Sequence, residues 1–182
     1  MVVSIAAGVG IGMFERAFGA STPIVRAMPN LPATIRDGIT ALYYNARVTS
    51  PQKQLVAELF QASGHVIQID DEQDLHAVTA LSGSGPAYVF AFAEALMRAG
   101  EGRGLSTDVA KALAIQTLVG AATMLAQGAS DASSLKAAVT SKGGTTAAGL
   151  AQFDHDDHGI TDLVERTLEA AASRSRELGS VT

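Results

Sequence analysis

The densest arrangement of ligand-capable residues in the chain is Thr140-Ser141-Lys142-Gly143-Gly144-Thr145-Thr146. Two glycines between hydroxyl side chains, leading into a helix, form a nest of backbone N–H donors at the positive end of a helix dipole. A carboxylate fits such a nest. Charge-assisted hydrogen bonds of this kind are each worth about 1.5–3 kcal/mol net, and the dipole adds roughly 0.3–1 kcal/mol. The segment is not a nucleotide-phosphate loop, because the lysine of GxxxxGK[ST] follows the second glycine whereas Lys142 precedes both. A glycine-rich helix cap without a ligand is the alternative reading.

Three further segments could meet a ligand. Ser82-Gly83-Ser84-Gly85-Pro86-Ala87 places small residues just before a helix, where missing Cβ atoms let a flat ligand approach and unpaired N–H groups favour anions. A tight interhelical turn would look the same. Met28-Pro29-Asn30-Leu31-Pro32 follows a strand, and its prolines hold the backbone extended and rigid at the strand's carboxyl end, where α/β sheets present ligands. Asn30 is the polar side chain to watch there, and a simple loop is the other reading. Gly8-Val9-Gly10-Ile11-Gly12 departs from the dinucleotide fingerprint: the third glycine position is Met13, and the acidic position falls around Met28 to Asn30. These glycines are read as a tight strand–helix turn, which can still touch the nicotinamide side of a cofactor. Asp154-His155-Asp156-Asp157-His158 reads as a solvated loop and no metal site is expected. His65 and His76 are not read as catalysts.

The whole composition narrows the classes of partner. The 182 residues carry 13 Lys+Arg against 18 Asp+Glu, a net charge of −5 with no basic block, so nucleic acid is not expected as a partner. No cysteine is present, which removes disulfides, thiolate nucleophiles and cysteine-based metal sites. The apolar start Met1 to Phe14 has no Lys or Arg before it, unlike a secretory signal. No run of about 20 apolar residues is free of charges and glycine clusters, so no membrane embedding is expected. These features predict a cytoplasmic protein.

Positioning these segments requires two kinds of architecture. Up to about Asp70 the pattern predicts strands at Val2–Ala6, Ile24–Met28, Ile39–Tyr44 and His65–Ile69, with a helix from Pro51 to Ser63. An acidic junction, Asp70 to Asp74, suits an exposed link. Beyond it the pattern is helical: Pro86 to Gly100, a helix capped by Ser106 and running to about Ala126, Asp131 to Thr140, Thr146 to Phe153, and Ile160 to Leu178. Their alanine-rich stripes cover more surface than one small bundle buries, which predicts an oligomer interface.

The runs VVSIAAGV, IVRAMPNLP, TALSGSGPAYVF and LKAAVTSKGGTTAAGL, in this order and at these separations, resemble pyrroline-5-carboxylate reductase, the last enzyme of proline biosynthesis. The resemblance covers Val2 to about Leu178. It implies an α/β remnant of a Rossmann-type nucleotide-binding domain over residues 1–70, followed by an all-α dimerisation and substrate-binding domain over residues 71–182. It also implies NADPH or NADH as cofactor, pyrroline-5-carboxylate as substrate, and a homodimer that can assemble further. The substrate carboxylate would sit on the N–H groups of Gly143, Gly144 and Thr145 with help from Ser141, and the Thr146 hydroxyl would reach the ring nitrogen. Ala7 and Gly8, the turn Met28, Pro29 and Asn30, and Gly83, Ser84, Gly85 and Pro86 match the segments around the nicotinamide. The chain departs from the family pattern in lacking the glycine fingerprint and the strands before Val2, in Lys142 where proline is usual, and in His76 where an acidic residue is common. The missing fingerprint leaves an alternative: a catalytically incompetent truncated chain that acts only as a helical dimer module.

Overall fold

The computed structural model describes residues 1–180. Its elements are β1 (Val2–Ser4), α1 (Ile11–Phe18), β2 (Ile24–Met28), a 3₁₀ turn (Leu31–Ile35), β3 (Gly38–Tyr44), α2 (Ser50–Gln61), β4 (Gly64–Gln68) and α3 (Asp74–Val78). A π-helical turn (Thr79–Gly83) leads into α4 (Gly85–Glu101), α5 (Thr107–Ala126), α6 (Ala132–Ala138), α7 (Thr145–Phe153) and α8 (Ile160–Ser180). The chain divides into two compact units: Met1–Ala87 together with the segment from Glu165 onward, and Tyr88–Val164.

In the first unit the strands lie side by side in the order β1-β2-β3-β4. The outer pairs are parallel and β2 runs antiparallel to β3. All five residues of β2 are buried, and alternation sends successive side chains to opposite faces. Val25 and Ala27 join Leu42, Val48 and Val56 in one core. Met28 joins Ala41 and Leu75 in another. Helix α2 starts where the sequence asks for it, with a proline in its first turn and a reciprocal capping box between Thr49 and Gln52. Buried Asn45 is satisfied by accepting from Ile24 N–H at 3.1 Å and donating to the Thr22 carbonyl at 3.0 Å. The strands stand close to where the pattern puts them, although β1 stops at Ser4 and β4 starts at Gly64.

The second unit is all helix, and among the described residues its buried hydrophobic side chains are only Ala110 and Ala114. Of the apolar stripes read from the sequence, Val89 and Phe92 on α4 and Leu125 on α5 are exposed, and Val119 on α5 is exposed beside them. Helix α5 is long and apolar enough, by length and composition, to cross a membrane. It nevertheless carries Asp108 and Lys111 in its first turns and Gly120 further on. One expected cap fails. Ser106 stands at the N-cap of α5 but its side chain makes no capping bond. Asp131 does cap α6, its Oδ1 accepting from Ser134 N–H at 2.7 Å.

Candidate functional site

Within the first unit, β2 delivers Met28, Pro29 and Asn30 to a meeting point with the π-helical turn. Asn30 uses both ends of its amide: Oδ1 accepts from Ile39 N–H at 3.0 Å, and Nδ2 donates to Ser82 Oγ at 3.3 Å. The widened turn is held by Ser84 N–H donating to the Thr79 carbonyl at 2.8 Å, a spacing that such turns use to re-aim a helix and that recurs at functional sites. Gly83 sits against Met28, whose Sδ would lie 3.4 Å from a Cβ at that position. Around Gly85, at the start of α4, a Cβ would meet nothing within 4 Å, so backbone is open to approach there. The two segments singled out by composition, Met28–Asn30 and Ser82–Pro86, are therefore brought together.

Gly8 has a packing reason for its missing side chain. Its φ of +78° favours glycine, and a Cβ would come within 2.9 Å of both Leu178 Cβ and the Ser175 carbonyl on α8. Ala7 beside it is exposed. The start of α1, just after this glycine run, already holds an anion: Glu72 Oε1 accepts Ile11 N–H at 2.6 Å and Arg26 Nη1 at 2.9 Å. A carboxylate at that helix start leaves no place there for a pyrophosphate, in keeping with the departure of Gly8–Gly12 from the fingerprint.

Sequence reasoning missed this Arg26–Glu72 pair. The signal was present: a lone arginine inside the apolar strand Ile24–Met28 must find a partner if the strand is buried. Glu72 lies in the acidic stretch read as an exposed junction, and that reading is corrected for this residue, whose side chain is 23% exposed and ion-paired.

His76 on α3 meets Ser175 on α8 with 2.9 Å between Nδ1 and Oγ. Burial holds its pKa below the ordinary imidazole value, and Arg26 and Arg176 push the same way against Glu72. A lowered folded value means that the unfolded chain takes up the proton first, so stability is full above the ordinary imidazole range and falls as pH drops through it. Thermal melts of His76→Asn should accordingly show a flatter loss of stability between about pH 7 and pH 5 than the native chain. An unchanged acid slope would clear His76 of that role.

Within the second unit, the loop before α7 forms a β-turn. Gly144 N–H donates to the Ser141 carbonyl at 3.0 Å, and Gly143 takes φ +72°. Lys142 occupies the second position of that turn, where proline is also accommodated, and its side chain is exposed. A Cβ on Gly144 would run into Ser141 Oγ. The expectation that Gly144 offers its N–H to a ligand is therefore corrected: that donor closes the turn. Ala148 N–H donates to the Gly144 carbonyl at 3.1 Å and is the first α7 amide paired back to the loop. Those of Thr145, Thr146 and Ala147 lie ahead of the first carbonyl that the helix geometry can offer. Thr146 is partly buried, Thr145 exposed. Helix α7 is pinned by Phe153, whose ring lies 5.9 Å from that of Phe92, and by Asp154 accepting from Lys136 Nζ at 2.9 Å. Among the described residues no three His, Asp or Glu side chains gather as a metal site.

Residues 72–178 match the family model for pyrroline-5-carboxylate reductase dimerisation. The chain is 43% identical to a pyrroline-5-carboxylate reductase of Pseudomonas aeruginosa, the match covering 98% of this chain and 64% of that protein. It is 45% identical to the one of Mycobacterium tuberculosis (strain H37Rv), with 97% and 64% covered. A solved pyrroline-5-carboxylate reductase of Coxiella burnetii superposes with a TM-score of 0.91 at 38% identity, over 97% of this chain and 65% of that one. The pyrroline carboxylate reductase of Plasmodium falciparum, solved with NADP bound, superposes at 0.89 with 35% identity, over 97% and 70%. The chain thus spans 64% of the length of the curated relatives named here.

Proposed function

The chain belongs to the pyrroline-5-carboxylate reductase family, and we propose that the protein it represents reduces 1-pyrroline-5-carboxylate to L-proline with NADPH or NADH in the cytoplasm. In this reading residues 1–70 are the carboxyl-terminal part of the nucleotide-binding domain and residues 71–182 the helical dimerisation and substrate-binding domain. The observation that carries it is the loop Ser141–Thr146, whose turn presents the opening amides of α7 beside two threonine hydroxyls.

The residues of the first unit fit the nicotinamide end of a dinucleotide. Met28, Pro29 and Asn30 with Gly83, Ser84, Gly85 and Pro86 would hold it, since the backbone around Gly85 is unobstructed. When bound, the reduced nicotinamide supplies the hydride that the imine carbon takes up. Asn30 acts by holding the two turns together rather than by offering its amide outward.

The amides of Thr145 and Thr146, with Gly143 N–H and the Ser141 hydroxyl, bind the substrate carboxylate. The Thr146 hydroxyl accepts from the N–H of the protonated imine. That imine is already electrophilic, so the loop's task is chiefly orientation, which can lower a barrier by several kcal/mol.

The exposed apolar stripes of α4 and α5 support a homodimer and assembly beyond it. An exposed apolar stripe on a helix calls for cover, and a second copy of the chain supplies it.

Steady-state reduction of pyrroline-5-carboxylate by a chain extended to the full length of the relatives tests the reading. Thr146→Ala should lower kcat about 10–100-fold with an unchanged melting temperature, the loss of one hydrogen bond to a charged group. Native kinetics in that variant would remove Thr146 from the site.

A further inference from the structure

We propose that the cleft between α3 and α8, floored by Arg26, binds a phosphate-type oxyanion that ties the C-terminal helix to the sheet. The cleft measures about 350 Å³ and is lined by Arg26, Glu72, His76 and Arg176 among others, with Gly8 and Gly10 adding backbone and no side chains.

Arg26 is the reason to look there. It is 4% exposed, and its guanidinium carries five N–H donors. Nη1 donates to Glu72 Oε1 at 2.9 Å, and that same oxygen also accepts Ile11 N–H. No buried side-chain nitrogen or oxygen among the described residues lacks a partner. The nitrogens of Arg26 beyond Nη1 are therefore open to the cleft rather than sealed in protein. A buried guanidinium with unused donors aimed into a cavity is a fork awaiting an acceptor, and phosphate oxygens match its geometry.

Arg176 supplies the second arm. Among the described residues it ion-pairs with Glu169 alone, at 3.5 Å, between side chains that are 49% and 72% exposed. Such a pair contributes little, so Arg176 is available to turn inward. The lining then carries two guanidiniums against the one carboxylate of Glu72, with the His76 imidazole beside them. The field at His76 has the matching sign: Arg26 and Arg176 together oppose a proton there, and Glu72 favours it. An oxyanion bridging Arg26 on β2 and Arg176 on α8 would join the sheet to the C-terminal helix, beside the existing His76–Ser175 contact.

The phosphoryl group could arrive as inorganic phosphate or as a phosphomonoester, and the two are separated by using inorganic phosphate and glycerol 3-phosphate as probes. The 182-residue chain is titrated with each, at ionic strength matched by sodium chloride, while NMR follows the His76 ring. Saturable movement of the His76 resonances with a raised titration midpoint, absent with chloride, is the expected result. Tighter binding of inorganic phosphate assigns the free ion; tighter binding of the ester assigns an organic phosphate. Arg176→Gln, a change at an exposed position, should weaken binding at least about tenfold, the value of one charge-assisted contact. The proposal is overturned if neither probe saturates, or if the Arg176→Gln chain binds as the native one does.

Discussion

Gly64→Ala should cost the first unit about 3–5 kcal/mol, enough to unfold it under mild denaturant. Gly64 pairs with Gly38 across β3 and β4. Its φ is +140°, and a Cβ would meet Gly38 N at 2.6 Å and Gly38 C at 2.7 Å. Both atoms are backbone, so nothing can rotate aside. The strands would have to separate where β3 and β4 begin, and Gly38 is itself pressed on Ala33, whose N would lie 2.6 Å from a Cβ there. Gly19→Ala is the matched control: φ is +93°, yet a Cβ meets nothing within 4 Å. That variant should lose only the backbone strain, about 1–2 kcal/mol. Urea midpoints compared across the two variants decide it, and equal losses would show that the Gly38–Gly64 contact has no special weight.

The second large effect falls on Glu72. Replacing it by alanine leaves Arg26 buried without its counter-charge and Ile11 N–H without an acceptor. Removing one partner of a fully buried pair typically costs about 3–5 kcal/mol; Arg26 keeps access to the cleft and Glu72 is 23% exposed, so the expected loss is about 2–3 kcal/mol. Glu72→Gln keeps an acceptor while losing the charge, and should fall between the native chain and the alanine variant. Substituting both members, Arg26→Met with Glu72→Gln, should recover most of the stability, since no buried charge remains. Thermal melts of the native chain, Arg26→Met, Glu72→Gln and the double variant form a complete cycle, with Glu72→Ala measured beside them. A loss of under about 1 kcal/mol in Glu72→Ala would place the pair among surface bridges of little consequence.

Both effects lie in the first unit, whose outline the sequence displays and whose joints it conceals. Strands β2 and β3 are legible because apolar runs bounded by Pro, Gly and Asn leave no helical period, and α2 because Thr49, a proline and Gln52 form a local start signal. Arg26 within β2 was visible as an anomaly, but its partner lies 46 residues away, and no local rule connects them. The same holds for Asn30, whose amide reaches Ser82 across 52 positions, and for His76, which meets Ser175 across 99.

In the loop before α7, composition alone is enough to mark Ser141–Thr146 as a glycine turn opening a helix. Which amide is available is a matter of geometry: Gly144 N–H bends back to Ser141, a fact set by the dihedral angles at Gly143 rather than by residue identity. The outward stripes of α4 and α5 are equally plain as patterns, since helical period is a property of neighbours three and four apart.

By itself, then, the order of residues determined the element types, the family and the segments where chemistry is concentrated, because propensity, capping and periodicity act over a turn or two of chain. Only the tertiary structure decided which polar groups satisfy one another: the trans cap of α1 by Glu72, the open donors of Arg26, and the seat of α8 on Gly8. Those outcomes depend on burial and on distances of a few ångströms between residues far apart in sequence, where a charge must find a partner or face water.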